Sequence, residues 1–481
     1  MKRYTLITGM GLLIAFYTNA QNDIDAMRYS QLTFGGTARF ASMAGSMGAL
    51  GGDISTLSFN PAGIAVFKKS EITITPSLFS QTTSSTFNGL NESDGKLNFN
   101  LGNIGIVATF NLDQKKHTSG WESVNFGFGY NRTNNFNNRT WVEGDNKKSS
   151  MLDAFVASAN GNPSTNFDQF STNLAWQTYL INPADTTGSL LYNHVIPNYG
   201  EHQIKKSTTS GSMGETDISF GGNYKSKIFI GATLGIVNER YTEATTYEEI
   251  DEKDTINNFK SFTYSTNLTT TGKGFNFKLG IIVKATDWLR FGGAIHTPTA
   301  LSLKDEYNNS MSSDLDGPKY DTVSPQGSFN YRLVTPFRAI GSVGFIIKKI
   351  ALLNIDYEYV DYSFAQLSSH PNYFSDVNST IRSKYSPSSN IRIGGEVRLD
   401  PFAIRVGYAL YGSPFNSGEN KNSSHTSYTA GFGYRQNKYF IDFAYVFTKY
   451  TEYNYLYDNA PTAVENDYKI SSFMMTFGLR F

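Results

Sequence analysis

The side chains best suited to catalysis or metal binding are few in this sequence and far apart. Cysteine is absent, which excludes a thiol nucleophile and a cysteine-ligated metal. No Gly-x-Ser-x-Gly elbow marks a hydrolase serine. Six histidines occur, none at the His-x-x-x-His spacing of a metal motif and none within a carboxylate cluster of metal-site spacing: His117, His194, His202, His296, His370 and His425. We therefore expect no metal, no cofactor and no enzymatic activity.

The most distinctive stretch runs from Arg39 to Gly63. Fifteen of its 25 residues are Gly, Ala, Ser or Met, and it closes on Asn60-Pro61-Ala62-Gly63. Small residues allow close backbone packing and positive φ angles, and Asn-Pro commonly starts a turn. Residues 21–70 offer too little bulky apolar surface to fold alone. We expect them to form a compact plug, in which Pro61 fixes a turn and Asn60 bonds nearby backbone.

The first twenty residues are organised like a secretory signal peptide. Lys2 and Arg3 form a basic start, residues 6–17 are apolar, and residues 18–20 offer small side chains to a signal peptidase. The apolar stretch is too short to span a bilayer. We expect cleavage near Ala20.

Composition favours an exported β-barrel over a soluble protein. Aromatic residues make up 15% of the chain, yet the mean hydropathy is −0.34. A transmembrane β-barrel hides its apolar belt in alternation and concentrates aromatic residues at both membrane interfaces. The 41 basic and 41 acidic residues give a net charge of zero, which argues against nucleic acid as a partner.

Alternation is clearest in the last nine residues. One face carries Phe473, Met475, Phe477, Leu479 and Phe481, and the other carries small or polar residues. Such a strand presents apolar groups to lipid and polar groups to a lumen. Phe481, as a terminal aromatic, resembles the signal that the barrel insertion machinery recognises, so we expect that machinery to be a partner.

The connections between strand-like segments alternate between short and long. Residues 304–323, 365–388, 412–426 and 454–467 are predicted to be external loops. About sixteen strand-like segments can be counted. Joining 201–212 with 214–225 and 324–335 with 337–347 gives fourteen, an even number that returns both chain ends to one side. We predict an all-β fold, a transmembrane antiparallel barrel of fourteen strands over residues 71–481.

The N-terminal stretch resembles the FadL-like family of outer-membrane transporters for long-chain fatty acids and other hydrophobic compounds. The matching residues are Arg39, Met43-Ala44-Gly45, Ala49-Leu50, Asp53, Ser55, Leu57 and Asn60-Pro61-Ala62-Gly63. The resemblance implies a fourteen-stranded barrel whose lumen holds an N-terminal hatch, here residues 21–70. It places in the hatch Arg39, Gly45, Asp53, Asn60, Pro61 and Ala62. Family members often have two adjacent acids where this chain has Gly52-Asp53.

The resemblance also implies a route and a location. Family members take ligand from outside, pass it by a rearranging hatch and release it sideways through a gap in the wall. The implied cargo is a fatty acid or an aromatic hydrocarbon, and the implied location is the outer membrane of a Gram-negative bacterium, among its lipids. Gly127 and Gly129 in strand 122–134 are a candidate place for weakened pairing, although such glycines also relieve crowding.

The longest region predicted to lack strands is residues 135–200. Two portions have helical spacing, and a long loop with amphipathic helices is usually functional. We expect this external loop to capture lipophilic cargo through Leu152, Phe155, Phe167, Phe170, Leu174 and Trp176. The alternative is that the same apolar faces only pack together as a lid.

Three other functions remain open on sequence grounds. A general porin needs a water-filled lumen, which a hatch would block. A barrel lipase would use a serine activated by histidine and would release fatty acid from phospholipid. An adhesin would leave uptake unchanged after its deletion.

Overall fold

The computed structural model describes residues 23–112, 120–186, 188–348, 350–371 and 373–481. The predicted signal peptide, residues 1–20, lies outside the described residues. All strand pairings are antiparallel. The strands in chain order are β1 Glu71–Phe87, β2 Leu90–Asn111, β3 Trp121–Asn135, β4 Asn138–Asp145, β5 Ile181–Pro183, β6 Tyr192–His194, β7 His202–Tyr224, β8 Ile228–Ile250, β9 Ser261–Lys284, β10 Leu289–His296, β11 Ala300–Asp314, β12 Lys319–Val323, β13 Gly327–Val334, β14 Arg338–Ile347, β15 Ala351–Asp361, β16 Gln366–Ser368, β17 Pro387–Leu399, β18 Phe402–Tyr411, β19 His425–Arg435, β20 Tyr439–Tyr455 and β21 Ala463–Arg480.

Helices are short and lie in the lumen or in loops, apart from a 3₁₀ turn between β15 and β16. The α-helices are α1 Asp23–Ser30, α2 Ala38–Ser42, α3 Leu152–Ala159, α4 Thr172–Gln177 and α5 Ser375–Lys384. The 3₁₀ helices are Ile54–Ser58, Pro61–Val66, Ser164–Asn166, Tyr362–Phe364 and Glu419–Asn422. Among the described residues, no helix combines the length and the apolar character that a membrane crossing requires.

The wall is a closed barrel of fourteen strands, as the sequence predicted. It closes where β1 pairs with β21, beginning at Glu71↔Arg480. Four wall strands are each built from two segments, namely β3 with β4, β10 with β11, β13 with β14, and β15 with β16. Pro298 separates β10 from β11 and Pro336 separates β13 from β14, because proline cannot donate to a strand ladder.

Side chains alternate between a lipid-facing exterior and a filled interior. Along β8, Ile228, Ile230, Leu234 and Ile236 are exposed, whereas Thr233 is buried on the other face. The exposed apolar residues of neighbouring strands continue this row into a belt around the barrel. Strand β8 extends fourteen residues beyond Ile236, to Ile250, on the side of the long loops.

Several predicted loops contain strand: β16 lies within 365–388 and β21 begins within 454–467, and two further cases are more extensive. Residues 304–323 are the end of β11 and the paired strand β12, and β4 lies inside the stretch 135–200. These segments are rich in Ser, Thr and Asn and stand beyond the apolar belt. Because they have no lipid-facing side, they lack the apolar alternation by which the other strands were recognised.

Candidate functional site

Residues 23–67 precede β1 and fill the lumen, and we call them the N-terminal segment. Most of its side chains are buried, including Met43, Met47, Leu57 and Ile64. Small residues allow this burial, because they let the backbone of the segment approach the wall closely. A Cβ on Gly231 of β8 would lie 2.2 Å from the Pro61 carbonyl oxygen, so only glycine fits at that contact.

Arg39 joins the N-terminal segment to a buried cluster of charges on the wall. Its Nε donates to Glu396 Oε2 at 2.9 Å, and its Nη1 donates to the Gly52 carbonyl at 3.1 Å. Glu396 also accepts from Arg405 Nε at 2.7 Å and from Arg398 Nε at 2.6 Å. Three guanidinium groups therefore share one carboxylate, which satisfies a charge that burial alone would destabilise.

A second wall carboxylate binds the backbone of the segment. Asp356 accepts from the Met47 amide at 3.1 Å and from the Gly48 amide at 3.3 Å. Ser46 Oγ donates to the Asn354 carbonyl at 2.9 Å. Adjacent amides that point at one carboxylate form a small anion-binding concavity, and here the wall supplies the anion.

Asn60 and Pro61 begin the second 3₁₀ helix of the segment. Asn60 Oδ1 accepts from the Ala62 amide at 3.1 Å, and Asn60 Nδ2 donates to the Gly48 carbonyl at 2.6 Å. Pro61 occupies the first helical position, where its missing N–H is not needed. Ala62 is buried against Phe229 of the wall.

Gly45 and Asp53 shape the remaining turns of the segment. Gly45 has φ +73°, a left-handed conformation that favours glycine. Asp53 caps the first 3₁₀ helix by accepting from the Ser55 amide at 3.0 Å, and it accepts from Thr37 Oγ1 at 2.8 Å. The six predicted hatch residues thus all lie within the lumen, although only Arg39 makes an ion pair with the wall.

Three contacts between the segment and the wall involve residues that sequence analysis did not single out as a pair. Ser58 Oγ donates to Asp217, and His296 Nε2 donates to the Phe59 carbonyl at 2.7 Å. Arg338 donates to the Ser30 carbonyl. Inward-facing polar positions could be recognised from alternation, but the pairing of each with a distant segment could not.

Helix α1 lies in an aromatic chamber of the lumen. Tyr29 packs edge-on against Phe136 and Tyr241, with ring centroids 6.1 and 6.3 Å apart. The Arg28 guanidinium stands 4.1 Å from the Tyr241 ring centroid, a cation–π contact. The chamber continues through buried Leu301, Leu303, Tyr331, Leu333 and Phe374. Three acids, Asp25, Glu239 and Asp305, are also buried at this chamber. A mainly apolar lining with a small set of polar groups suits a lipophilic ligand that carries a polar end.

One seam of the wall is paired over only part of its length. Strand β2 pairs with β3 from Asn111↔Ser123 to Asn103↔Asn131. Residues 90–101 of β2 continue to pair with β1, whereas β3 beyond Asn131 and all of β4 pair with β7. Within the described chain, no strand pairs with this edge of β2 over residues 90–102. We call this unpaired stretch, together with the facing ends of β3 and β4, the wall seam.

Two irregularities mark the start of the wall seam. The pairing of β1 with β2 shifts register after Thr75, and the pairing of β3 with β7 shifts register after Arg132. A bulge bends a strand and increases its twist, so the two edges diverge. Gly127 and Gly129, where the sequence suggested weakened pairing, are paired with Val107 and Gly105. The pairing with β2 is lost further along the same predicted strand, beyond Asn131, so the prediction was wrong about the two glycines.

The wall seam opens within the apolar belt. Leu97 and Phe99 stand beside the unpaired edge and are 65% and 74% exposed. An open sheet edge is not tolerated against hydrocarbon unless protein or a cavity covers it. Side chains bridge the edges here, since Lys96 Nζ donates to the Thr209 carbonyl at 2.8 Å and Arg132 Nε donates to the Leu101 carbonyl at 3.2 Å.

The N-terminal segment covers the inner side of the wall seam. The Thr33 amide donates to the Thr133 carbonyl at 2.9 Å, and Asn134 Nδ2 donates to the Gln31 carbonyl at 3.2 Å. A Cβ on Gly35 would lie 2.1 Å from the Arg132 carbonyl oxygen. The backbone of the segment therefore rests directly on the irregular part of β3.

No protein-family model matches this chain, and no curated protein matches its sequence. Solved structures are nevertheless similar to it. The crystal structure of a Pseudomonas aeruginosa FadL homologue aligns with 94% of this chain and 100% of its own, at a TM-score of 0.58 and 14% sequence identity. The fold is FadL-like.

Two further structures carry the same FadL-like fold. The toluene transporter TodX of Pseudomonas putida aligns with 93% of this chain and 99% of its own, with a TM-score of 0.53 and 12% identity. The toluene transporter TbuX of Ralstonia pickettii aligns with 94% and 100%, with a TM-score of 0.53 and 13% identity. These neighbours are transporters and not enzymes, and at such identities the similarity concerns the fold.

The loop between β4 and β7, residues 146–186 and 188–201, covers the end of the FadL-like barrel on the side of the long loops. Helices α3 and α4 form where helical spacing was predicted. The loop is tied to β8 through Glu249, which accepts from Ser150 Oγ and from the Met151 amide, both at 2.7 Å. We call this stretch the external loop.

Most of the predicted capture residues lie inside the external loop rather than on its surface. Leu152, Phe155, Phe167 and Leu174 are buried in one apolar cluster. Phe170 and Trp176 are half-buried, and the Phe170 ring centroid lies 4.8 Å from that of Tyr307 on the wall.

The exposed apolar residues of the external loop are different ones. Tyr179, Leu190 and Leu191 are 51%, 42% and 54% exposed. They lie in a turn and in irregular chain outside the helices, where no periodicity marks them. The FadL-like barrel therefore has an apolar external surface at positions that sequence analysis missed.

Proposed function

We propose that the protein takes up lipophilic small molecules, either long-chain fatty acids or aromatic hydrocarbons, across the outer membrane of a Gram-negative bacterium. In this proposal the N-terminal segment is a hatch that moves during transport, and cargo leaves sideways through the wall seam. The observation that carries the proposal is the position of the wall seam, which opens into the apolar belt directly beside the N-terminal segment.

The chemistry of the route supports an apolar cargo. A polar solute gains nothing from an exit beside Leu97 and Phe99, because that exit faces hydrocarbon. A lipophile instead passes from the aromatic chamber around α1 to an exit flanked by Leu97 and Phe99, with Lys96 and Arg132 as the polar side chains that bridge the seam. Phe136 and Met213 belong to that chamber, and both lie close in sequence to the irregular stretch of β3 and its partner β7.

Helix α1 occupies the space that the cargo requires. Its Tyr29 packs against Phe136 and Tyr241 of the wall, so a lipophile has two options, which are to displace the helix or to wait for it to move. Displacement exchanges one set of apolar contacts for another, so its net cost is smaller than the loss of those contacts alone.

The experiment closes the wall seam chemically. The chain has no cysteine, so Lys96→Cys with Ser210→Cys places one unique thiol on the unpaired edge of β2 and the other across the seam on β7. Lys96 Nζ already hydrogen bonds with Ser210 Oγ, so a short bismaleimide can span the pair. We expect cross-linked protein to lose uptake of a fluorescent fatty acid and of toluene, and protein treated with a monofunctional maleimide to keep it.

The matched control is a pair of thiols on a seam that is already closed. Ser80 of β1 and Ser471 of β21 are direct cross-strand partners, and Ser80→Cys with Ser471→Cys should cross-link without loss of uptake. Full uptake through a completely cross-linked wall seam would reject the lateral route. Loss of uptake in both pairs would show that the wall must flex as a whole.

A further inference from the structure

A row of directly paired, outward-facing residues crosses five strands just above the apolar belt. Strand register places side by side Asn238 of β8, Lys273 of β9, Ser302 of β11, Arg332 of β13 and Ser368 of β16. All five are exposed. Lys273 and Arg332 both flank Ser302, so their backbones stand two strands, about 10 Å, apart.

The next row outward repeats the pattern one strand over. Its members are Arg240, Thr271, Lys304 and Asn330, in register across β8, β9, β11 and β13. Basic and neutral residues thus alternate in both directions over the surface. We call Arg240, Lys273, Lys304 and Arg332 the basic patch. All members of the two rows except Arg240 line a cavity of about 900 Å³ that also reaches His370.

Most of the basic patch lacks an acidic partner. Lys304 Nζ lies 2.6 Å from Glu306 Oε1. Across the parts of the chain that the structure describes, no ion pair involves Arg240, Lys273 or Arg332. Four positive charges with one acid on a small surface repel one another, so an anion placed among them would be stabilised.

The row immediately below the basic patch is apolar. The same register aligns Ile236, Phe275, Ala300 and Val334, and Phe275 is 64% exposed. The surface therefore changes from hydrocarbon-facing to cationic within one row, over about 7 Å along the strands. A ligand that fits both rows has apolar chains below and negative charge above.

We propose that the basic patch binds the phosphate groups of the phosphorylated glycolipid of the outer leaflet, lipopolysaccharide. Lys and Arg make charge-assisted bonds to phosphate oxygens, while Asn238, Ser302, Thr271 and Asn330 are suited to sugar hydroxyls. The patch lies on the side of the long loops, which faces the outer leaflet. This inference rests on the proposed outer-membrane location and not on the proposed cargo or exit.

The test measures lipid binding by the full-length protein in detergent, using native mass spectrometry. The probes are bisphosphorylated lipid A, the same lipid without phosphates, and phosphatidylglycerol. We expect bisphosphorylated lipid A to bind at least about ten-fold more tightly than either other probe. Lys273→Gln with Arg332→Gln should remove most of that preference, and Lys273→Glu with Arg332→Glu should abolish it.

The control variant is Lys68→Glu with Lys69→Glu, which makes the same charge change at exposed residues of the opposite end and should bind like the unchanged protein. A heat-modifiable gel shift checks that each barrel is folded. Equal binding of lipid A by the unchanged protein and both patch variants would overturn the proposal, as would equal binding of dephosphorylated lipid A. Equal binding of phosphatidylglycerol would reject the glycolipid as the source of phosphate. Fatty-acid uptake, measured in parallel, reports separately on the proposed transport function.

Discussion

Arg39 of the N-terminal segment and Glu396 of the barrel wall form a buried ion pair across 357 residues of sequence, with Nε and Oε2 2.9 Å apart. Their side chains are only 6% and 1% exposed. Glu396 keeps Arg398 and Arg405 as partners, so it stays neutralised even if Arg39 leaves. This arrangement lets the segment detach without leaving a lone buried charge on the wall.

Arg39→Met should therefore loosen the N-terminal segment without unfolding the barrel. Methionine preserves the apolar contacts of the arginine stem, while the lost charge-assisted bonds are worth about 1.5–3 kcal/mol. The population of open segments should rise about ten- to hundredfold, which planar-bilayer recording would detect as more frequent conductance steps. Arg398→Met is the control, because Arg398 bonds to the same carboxylate but belongs to the wall; equal conductance in both variants would contradict the prediction.

Asn60→Ala with Pro61→Ala should weaken the turn that joins the two halves of the segment. The change removes the cap of the second 3₁₀ helix, worth about 1 kcal/mol, and the donor to the Gly48 carbonyl. We expect faster hydrogen exchange over residues 46–66, impaired uptake and an unchanged heat-modifiable gel shift. Unaltered uptake together with faster exchange would show that the turn has no part in transport.

Leu190→Ser with Leu191→Ser should reduce cargo capture while the external loop stays folded. Both leucines are exposed, so the change costs little stability, but each could supply about 1.5–3 kcal/mol of apolar burial to a bound ligand. The measurement is binding of a fluorescent fatty acid, with protease resistance as the folding check. Normal binding by a resistant variant would leave the loop as a lid.

Phe167→Ala, in contrast, should destabilise the external loop itself. Its ring lies in the core of the external loop, 5.1 Å from the Tyr192 ring centroid, and removing a buried Phe side chain costs about 3–5 kcal/mol. We expect the loop to become protease-sensitive and binding to fall as a consequence. Persistent resistance to protease would mean that the loop has a second, sufficient source of stability.

The external loop should also open more readily as pH rises. Burial raises the pKa of the Glu201 carboxyl, and the charges of Asp251 and Asp153 raise it further. The folded loop thus prefers the protonated acid, so stability is full below the ordinary carboxyl pKa and is lost as pH rises through the raised value. Proteolysis of the loop should quicken over that window, and Glu201→Gln should flatten the profile; equal slopes would contradict this assignment.

Sequence analysis predicted the barrel because the alternation that identifies each strand can be read within that strand alone. Alternation along β21, ending at Phe477 and Leu479, needs no knowledge of other strands. The wall seam could not be predicted, because it depends on where the pairing between β2 and β3 ends, near Asn103. The same holds for Arg39, since the family resemblance placed it in the hatch but did not indicate its partner Glu396.

The N-terminal segment is synthesised before the barrel wall, yet it is the last part of the described chain that can reach its final contacts. The Ala38 amide donates to Thr476 Oγ1 of β21 at 2.7 Å, 438 residues away, and other partners of the segment lie on β8, β15 and β17. Contacts of such separation cannot form until the intervening chain is arranged. The N-terminal segment must therefore wait without its wall contacts until the wall surrounds the space it will fill, and we expect barrel closure and lumen filling to be separate steps of biogenesis.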